Sequence, residues 1–77
     1  MDAKQKIICK KLVEKTRQYQ SGNLSWQELI DLLDDAHGHY PENELISELY
    51  DLIEHDTKRG GYFYVNEILD CLEAISR

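Results

Sequence analysis

The sequence predicts an all-α protein, a small four-helix bundle with helices over about residues 3–19, 25–36, 42–55 and 66–76. Apolar residues recur at spacings of three and four along most of the chain, the periodicity that lines one face of a helix. Strand-like alternation is confined to the short run Tyr62–Val65. Four glycines and one proline fall where they separate the periodic segments instead of interrupting them. At 77 residues the chain has room for one domain.

The first helix carries Ile7, Ile8, Leu12 and Val13 on one side and lysines on the other, and Ser21-Gly22-Asn23 ends it with Gly22 as a left-handed cap. The second opens at Ser25, where Ser25-Trp26-Gln27-Glu28 fits a reciprocal capping box, and its buried stripe is Trp26, Leu29, Ile30 and Leu33. His37-Gly38-His39-Tyr40 breaks it. Pro41, at a first helical position with Glu42 and Glu44 in the first turn, opens the third helix, since proline loses no hydrogen bond there and acids meet the positive end of the dipole. Leu45, Leu49, Leu52 and Ile53 face inward. Thr57–Gly61 is a flexible stop, and the last helix starts near Asn66, buried through Ile68, Leu69, Leu72 and Ile75.

Charge divides the chain into a basic first helix, residues 1–20, and an acidic three-helix part, residues 21–77. The first part holds six of the nine bases against Asp2 and Glu14, and the second holds thirteen of the fifteen acids. No Lys or Arg stands between Arg17 and Lys58, an interval with ten acids. Like charges without counter-charge repel one another and favour a basic partner; they also serve as a plain solvated face. Nucleic-acid binding is excluded for this half, because phosphates are held by Lys and Arg. A chain this short hides only about 60% of its unfolded surface, so a deep catalytic pocket is costly and a binding module is favoured over an enzyme.

Cys9 and Cys71 lie beside aliphatic residues at helical spacing and read as small buried hydrophobes, although a disulfide between the terminal helices is geometrically conceivable. The start, Met1-Asp2-Ala3-Lys4, has no apolar signal core, so a reducing cytoplasmic location is expected, with no membrane contact. His37-Gly38-His39 beside Asp34 and Asp35 lacks the four ligands of structural zinc, and His55 suits the negative end of the third helix. An internal echo of Gly22 and Glu28 in Gly61 and Glu67 has EF-hand spacing, but a first loop would begin at Arg17, with Tyr19 and Ser21 as its next ligands, and a second would place Lys58 and Gly60 where calcium needs oxygen. No cofactor, metal or catalytic residue is expected. Nor does any Ser or Cys carry the motif of an activated nucleophile.

Tyr62-Phe63-Tyr64 follows a glycine pair. As a strand-like segment it would turn both tyrosines to one side and Phe63 to the other, making Phe63 a core plug and Tyr62 and Tyr64 surface anchors. The alternative is that all three rings cover the open end of the bundle.

From Ser25 to Ser76 the order is an acidic helix, a second acidic helix ending Leu52-Ile53-Glu54-His55, a Gly-bearing turn, an aromatic cluster and a last helix beginning Val65-Asn66-Glu67-Ile68. This resembles the colicin and pyocin nuclease immunity proteins, small acidic four-helix proteins whose second helix ends in Glu-His, followed by a turn and a Tyr-Tyr-Pro cluster that docks on the toxin. Asp56 stands where that family has Pro, Val65 follows the aromatics in place of Pro, and the basic first helix has no counterpart there. The resemblance implies a protein that binds and neutralises a basic toxin, a nuclease domain, by covering its substrate surface.

The charge pattern supplies the same kind of surface, since uncompensated acids steer association and aromatic anchors slow dissociation. The candidate partner-binding residues are Asp31, Asp34, Asp35, Glu44, Glu48, Asp51, Glu54, Tyr62 and Tyr64. Two other classes stand beside this one. One is a non-calcium-binding, EF-hand-like adaptor that holds a partner helix in an apolar groove. The other is a small helical regulator that forms a homodimer or larger oligomer, the basic first helix of one copy lying against the acidic face of another.

Overall fold

In a computed structural model, which describes residues 2–55 and 61–77 and the backbone alone of residues 61–63, the chain forms α1 (Ala3–Gln20), α2 (Trp26–His39), α3 (Glu44–Glu54) and α4 (Gly61–Ile75). The fold class is the predicted one, an all-α bundle with no strand among the described residues. Each helix packs on the next in sequence and α4 closes on α1, so α1 and α3 stand diagonally across the bundle. Gln20 meets Asn66 at 3.0 Å and Arg17 meets Glu73 at 3.1 Å, which sets α1 and α4 antiparallel.

Local chemistry sets the helix ends. The Asp2 carboxylate accepts from the Gln5 amide at 2.8 Å, and the Asn43 side chain accepts from the amides of Leu45 and Ile46, satisfying donors that a first turn leaves unpaired. At the end of α1, Asn23 N–H donates to Gln18 O at 2.8 Å and Gly22 N–H to Tyr19 O at 3.1 Å. These are the paired bonds of a Schellman cap, and Gly22 takes the left-handed φ of 84° that the motif requires. Ser25 caps α2 as expected, but Glu28 reaches the Ser25 hydroxyl at 3.1 Å, so the capping box closes side chain to side chain.

The core combines Cys9, Leu12 and Val13 of α1, Leu29, Ile30, Leu33 and Ala36 of α2, Ile46, Leu49 and Ile53 of α3, and Val65, Ile68, Leu69 and Leu72 of α4. Burial of each large aliphatic side chain contributes about 1.5–3 kcal/mol. Thr16 is fully buried among them, its hydroxyl oxygen without a partner among the described residues.

Several predicted boundaries and facings are corrected. α2 does not stop before His37: it runs through Gly38 to His39, because a single glycine costs a helix only about 1 kcal/mol and proline comes after the cap at Tyr40. Pro41 is not the first residue of α3, since Asn43 caps a helix that starts at Glu44 and Pro41 lies in the turn before it. α4 begins at Gly61, five residues before Asn66, so the aromatic run is helical. A lone strand has no ladder to satisfy its backbone groups, and the helix supplies them. The alternation that opposed Phe63 to the two tyrosines therefore does not apply, and the side-chain roles given to Tyr62 and Phe63, like the flexible stop at 57–60, lie outside the described residues.

Among the apolar facings, Ile7 and Trp26 are exposed, Ile8, Leu45 and Leu52 are half-buried, Ile75 reaches the surface, and Ile46 takes the core position that the spacing gave to Leu45. Cys9 is buried, and burial pushes its thiol pKa up. Cys71 is exposed, against expectation, and both thiols are free. The first half of the EF-hand echo has no loop behind it, since Arg17 and Tyr19 belong to α1 and residues 21–25 alone join α1 to α2; the second half begins outside the described residues. Among the described residues no helix is long and apolar enough to cross a membrane.

Candidate functional site: an acidic ridge flanked by two clefts

α3 places the site. Its core residues Ile46, Leu49 and Ile53 point inward, which by helical periodicity puts Glu44, Glu48 and Asp51, at i, i+4 and i+7, along the outward ridge. All three carboxylates are exposed. Arg17 is the one guanidinium that pairs with acids among the described residues, reaching Asp70 at 3.5 Å and Glu73 at 3.1 Å on the α1–α4 seam. Among the described residues the ridge on α3 receives no Lys or Arg.

A cleft lies on each side of this ridge. Toward α2, a cleft of about 410 Å³ is lined by Asp34, His37, Ser47, Glu48, Tyr50, Asp51 and Glu54. The Tyr50 hydroxyl donates to Asp34 at 3.1 Å, joining the two helices across its floor. That bond, with partial burial and the Asp34 charge behind it, raises the Tyr50 pKa, so the phenol stays a donor. The His37 ring stands edge-on to Tyr50, centroids 5.5 Å apart. Toward α4, a groove of about 280 Å³ has Leu52, Ile68 and Tyr64 beside Glu48, Asp51 and Glu67. Among the described residues no Lys or Arg lines either cleft.

At the end of α3 the His55 ring nitrogen Nδ1 sits 2.9 Å from the Asp51 carbonyl and 3.1 Å from its carboxylate. The carbonyl first and the carboxylate second raise the imidazole pKa above its ordinary value. His55 thus stands at the negative end of the helix, as the sequence indicated.

Of the candidate residues, the structure brings together Asp34, Glu48, Asp51, Glu54 and Tyr64, with Glu44 on the same ridge. Tyr64 is 60% exposed, on the first turns of α4. Asp31 and Asp35 stand apart. Asp31 accepts from the Gln27 amide at 2.9 Å and lines the α1–α2 groove with Lys11 and Lys15, while Asp35 lies within 3.8 Å of His39. The Tyr62 side chain is outside the described residues. Sequence reasoning missed His37, Tyr50 and Glu67 as lining residues. Glu67 is three residues from Tyr64 and shares its face once the aromatic run is read as helix, whereas Tyr50 and His37 join the site only through the pairing of α2 with α3.

Chemically, both clefts offer exposed carboxylates, the first adds the Tyr50 phenol and the second an apolar floor, which suits cationic side chains with aliphatic or planar stems. Among the described residues no group of three or more His, Cys, Asp or Glu side chains is placed to hold a metal ion. Comparison of the chain with protein-family models, with curated proteins and with solved structures returns no match.

Proposed function

We propose that this protein binds a basic protein toxin, a nuclease domain, and neutralises it by occluding the toxin's substrate surface. The observation that carries the reading is the α3 ridge: Glu48 and Asp51 stand between two clefts that no Lys or Arg of the described residues lines, with Tyr64 at one edge. Neighbouring carboxylates repel one another, and lysines or arginines of a partner relieve that repulsion on contact. Tyr64 adds a large, stiff contact surface that carries a hydroxyl. The resemblance to nuclease immunity proteins supports the same reading, since Glu54-His55 ends α3 and the aromatic run opens α4 beside it.

The test is titration against cationic nuclease domains of bacterial toxins, beginning with the product of the adjacent gene, since immunity genes sit beside their toxins. Tight binding that abolishes nuclease activity, and that Glu48→Lys with Asp51→Lys disrupts, is the expected result. Full nuclease activity at saturating concentrations of this protein across such a panel would remove the toxin reading.

A further inference from the structure

The outward face of α1 takes no part in the acidic site, yet it carries the most exposed large apolar side chain of the described residues. Ile7 is 65% exposed. Its neighbours on the helix surface, three and four residues away, are Ala3, Lys4, Lys10 and Lys11, so a bare isoleucine is ringed by three lysines. Ion pairs among the described residues draw on Arg17, His39 and His55 and on none of these lysines. The groove between α3 and α4 has the opposite character, an apolar floor of Leu52, Ile68 and Tyr64 with Glu48, Asp51 and Glu67 around it.

An apolar knob in a cationic ring and an apolar groove with an anionic rim complement each other in both terms that build an interface, a buried apolar centre and a charged rim. They cannot meet within one chain, because Ile7 points outward from α1 while the groove lies on the flank of α3, diagonally across the bundle. We propose that the groove is occupied by a second copy of this chain, with Ile7 seated over Leu52 and Ile68 and the surrounding lysines paired with Glu48, Asp51 and Glu67.

Such a contact is heterologous: each copy keeps one free knob and one free groove, so association continues head to tail or closes into a ring. The net charge of -6 opposes self-association at long range. The bundle is 21 Å across, however, and at physiological ionic strength the Debye length is about 8 Å, so net repulsion between copies is screened while contact pairs persist. This inference stands independently of the toxin reading. Because Glu48 and Asp51 serve both surfaces, self-association and capture of a basic partner exclude one another.

Sedimentation velocity of the full chain over a concentration series at physiological salt tests it, with two variants at exposed positions, Ile7→Glu and the double change Glu48→Lys with Glu67→Lys. The wild type is expected to gain mass steadily with concentration and each variant alone to stay monomeric. An equimolar mixture of the variants is expected to give a dimer that grows no further, since it contains one intact knob and one intact groove. A wild type that stays monomeric throughout, variants that associate as it does, or a mixture that stays monomeric while the wild type associates, would each overturn the proposal.

Discussion

The indole nitrogen of Trp26, the first residue of α2, donates a 2.8 Å hydrogen bond to the carbonyl oxygen of Ile53 in the last turn of α3. That carbonyl is one of the four that a helix leaves without an intrahelical donor. The bond therefore caps α3 from a neighbouring helix, and it explains why Trp26 lies at the surface, 40% exposed, rather than in the stripe with Leu29 and Leu33. Trp26→Phe keeps most of the ring and removes the donor. The expected loss is about 1 kcal/mol of folding stability, the net value of one partly buried hydrogen bond. Urea denaturation followed by circular dichroism measures it, and an unchanged midpoint would mean that the bond contributes nothing.

Two glycines in similar-looking polar stretches are expected to respond in opposite directions. Gly38 lies inside α2 with helical backbone, and a methyl group added there meets no atom within 4 Å. Gly38→Ala should stabilise the protein by about 0.5–1 kcal/mol, the helix-interior difference between the two residues. Gly22 holds φ at 84° in the cap of α1, where a side chain is strained whatever the space. Gly22→Ala should destabilise by about 1–2 kcal/mol. Thermal melts of both variants decide the matter, and shifts of the same sign would contradict the assignment.

Those two positions also mark how far the sequence could be read. The helices themselves were legible because Leu29–Leu33, Leu49–Ile53 and Ile68–Leu72 each keep the spacing of a buried face, and Gly22 was legible because a left-handed cap has a strong residue preference. Gly38 and Pro41 misled because punctuation residues act through a cost of about 1 kcal/mol or through a preferred φ, both of which neighbouring packing and an Asn43 cap outweigh. The start of α4 was hidden for a similar reason: three consecutive aromatics alternate and rotate equally well until Val65 and Ile68 fix the face. At the site, the ridge of Glu44, Glu48 and Asp51 follows from one helix's periodicity. The exclusion of Asp31 and Asp35 does not, because it depends on how α2 turns its flanks to α1 and α3.

His55 provides a pH signature. Its folded-state pKa lies above the ordinary imidazole value of 6.5, raised by the Asp51 carbonyl and then by the Asp51 carboxylate. A pKa higher in the folded than in the unfolded chain means that the protonated ring stabilises the fold. The contribution is complete below the unfolded value and is lost as pH rises through the folded one. The wild type should therefore melt above His55→Gln by a wider margin at about pH 5 than at about pH 8, on either side of ordinary imidazole titration. NMR titration of the His55 ring should give a midpoint above 6.5. A midpoint at or below that value would show that the contacts to Asp51 do not hold the proton.

The ridge and Tyr64 are expected to affect different rate constants of partner capture. Exposed carboxylates act at a distance, over a Debye length of about 8 Å at physiological salt, so Glu48→Lys with Asp51→Lys should slow association with the basic partner and flatten its salt dependence. Tyr64 acts only on contact. Because it is 60% exposed, Tyr64→Ala should leave the melting temperature nearly unchanged. It should weaken binding by about 2 kcal/mol or more, the hot-spot threshold, almost wholly through faster dissociation. Surface plasmon resonance at low and high salt separates the two effects, with denaturation curves run on the same samples. If Tyr64→Ala unfolds readily and binds normally once folded, the ring is part of the packing between α3 and α4 and the anchor must be sought elsewhere on the ridge. If the double charge reversal leaves the association rate and its salt slope untouched, the carboxylates of α3 are a solvated face and steering does not bring the partner in.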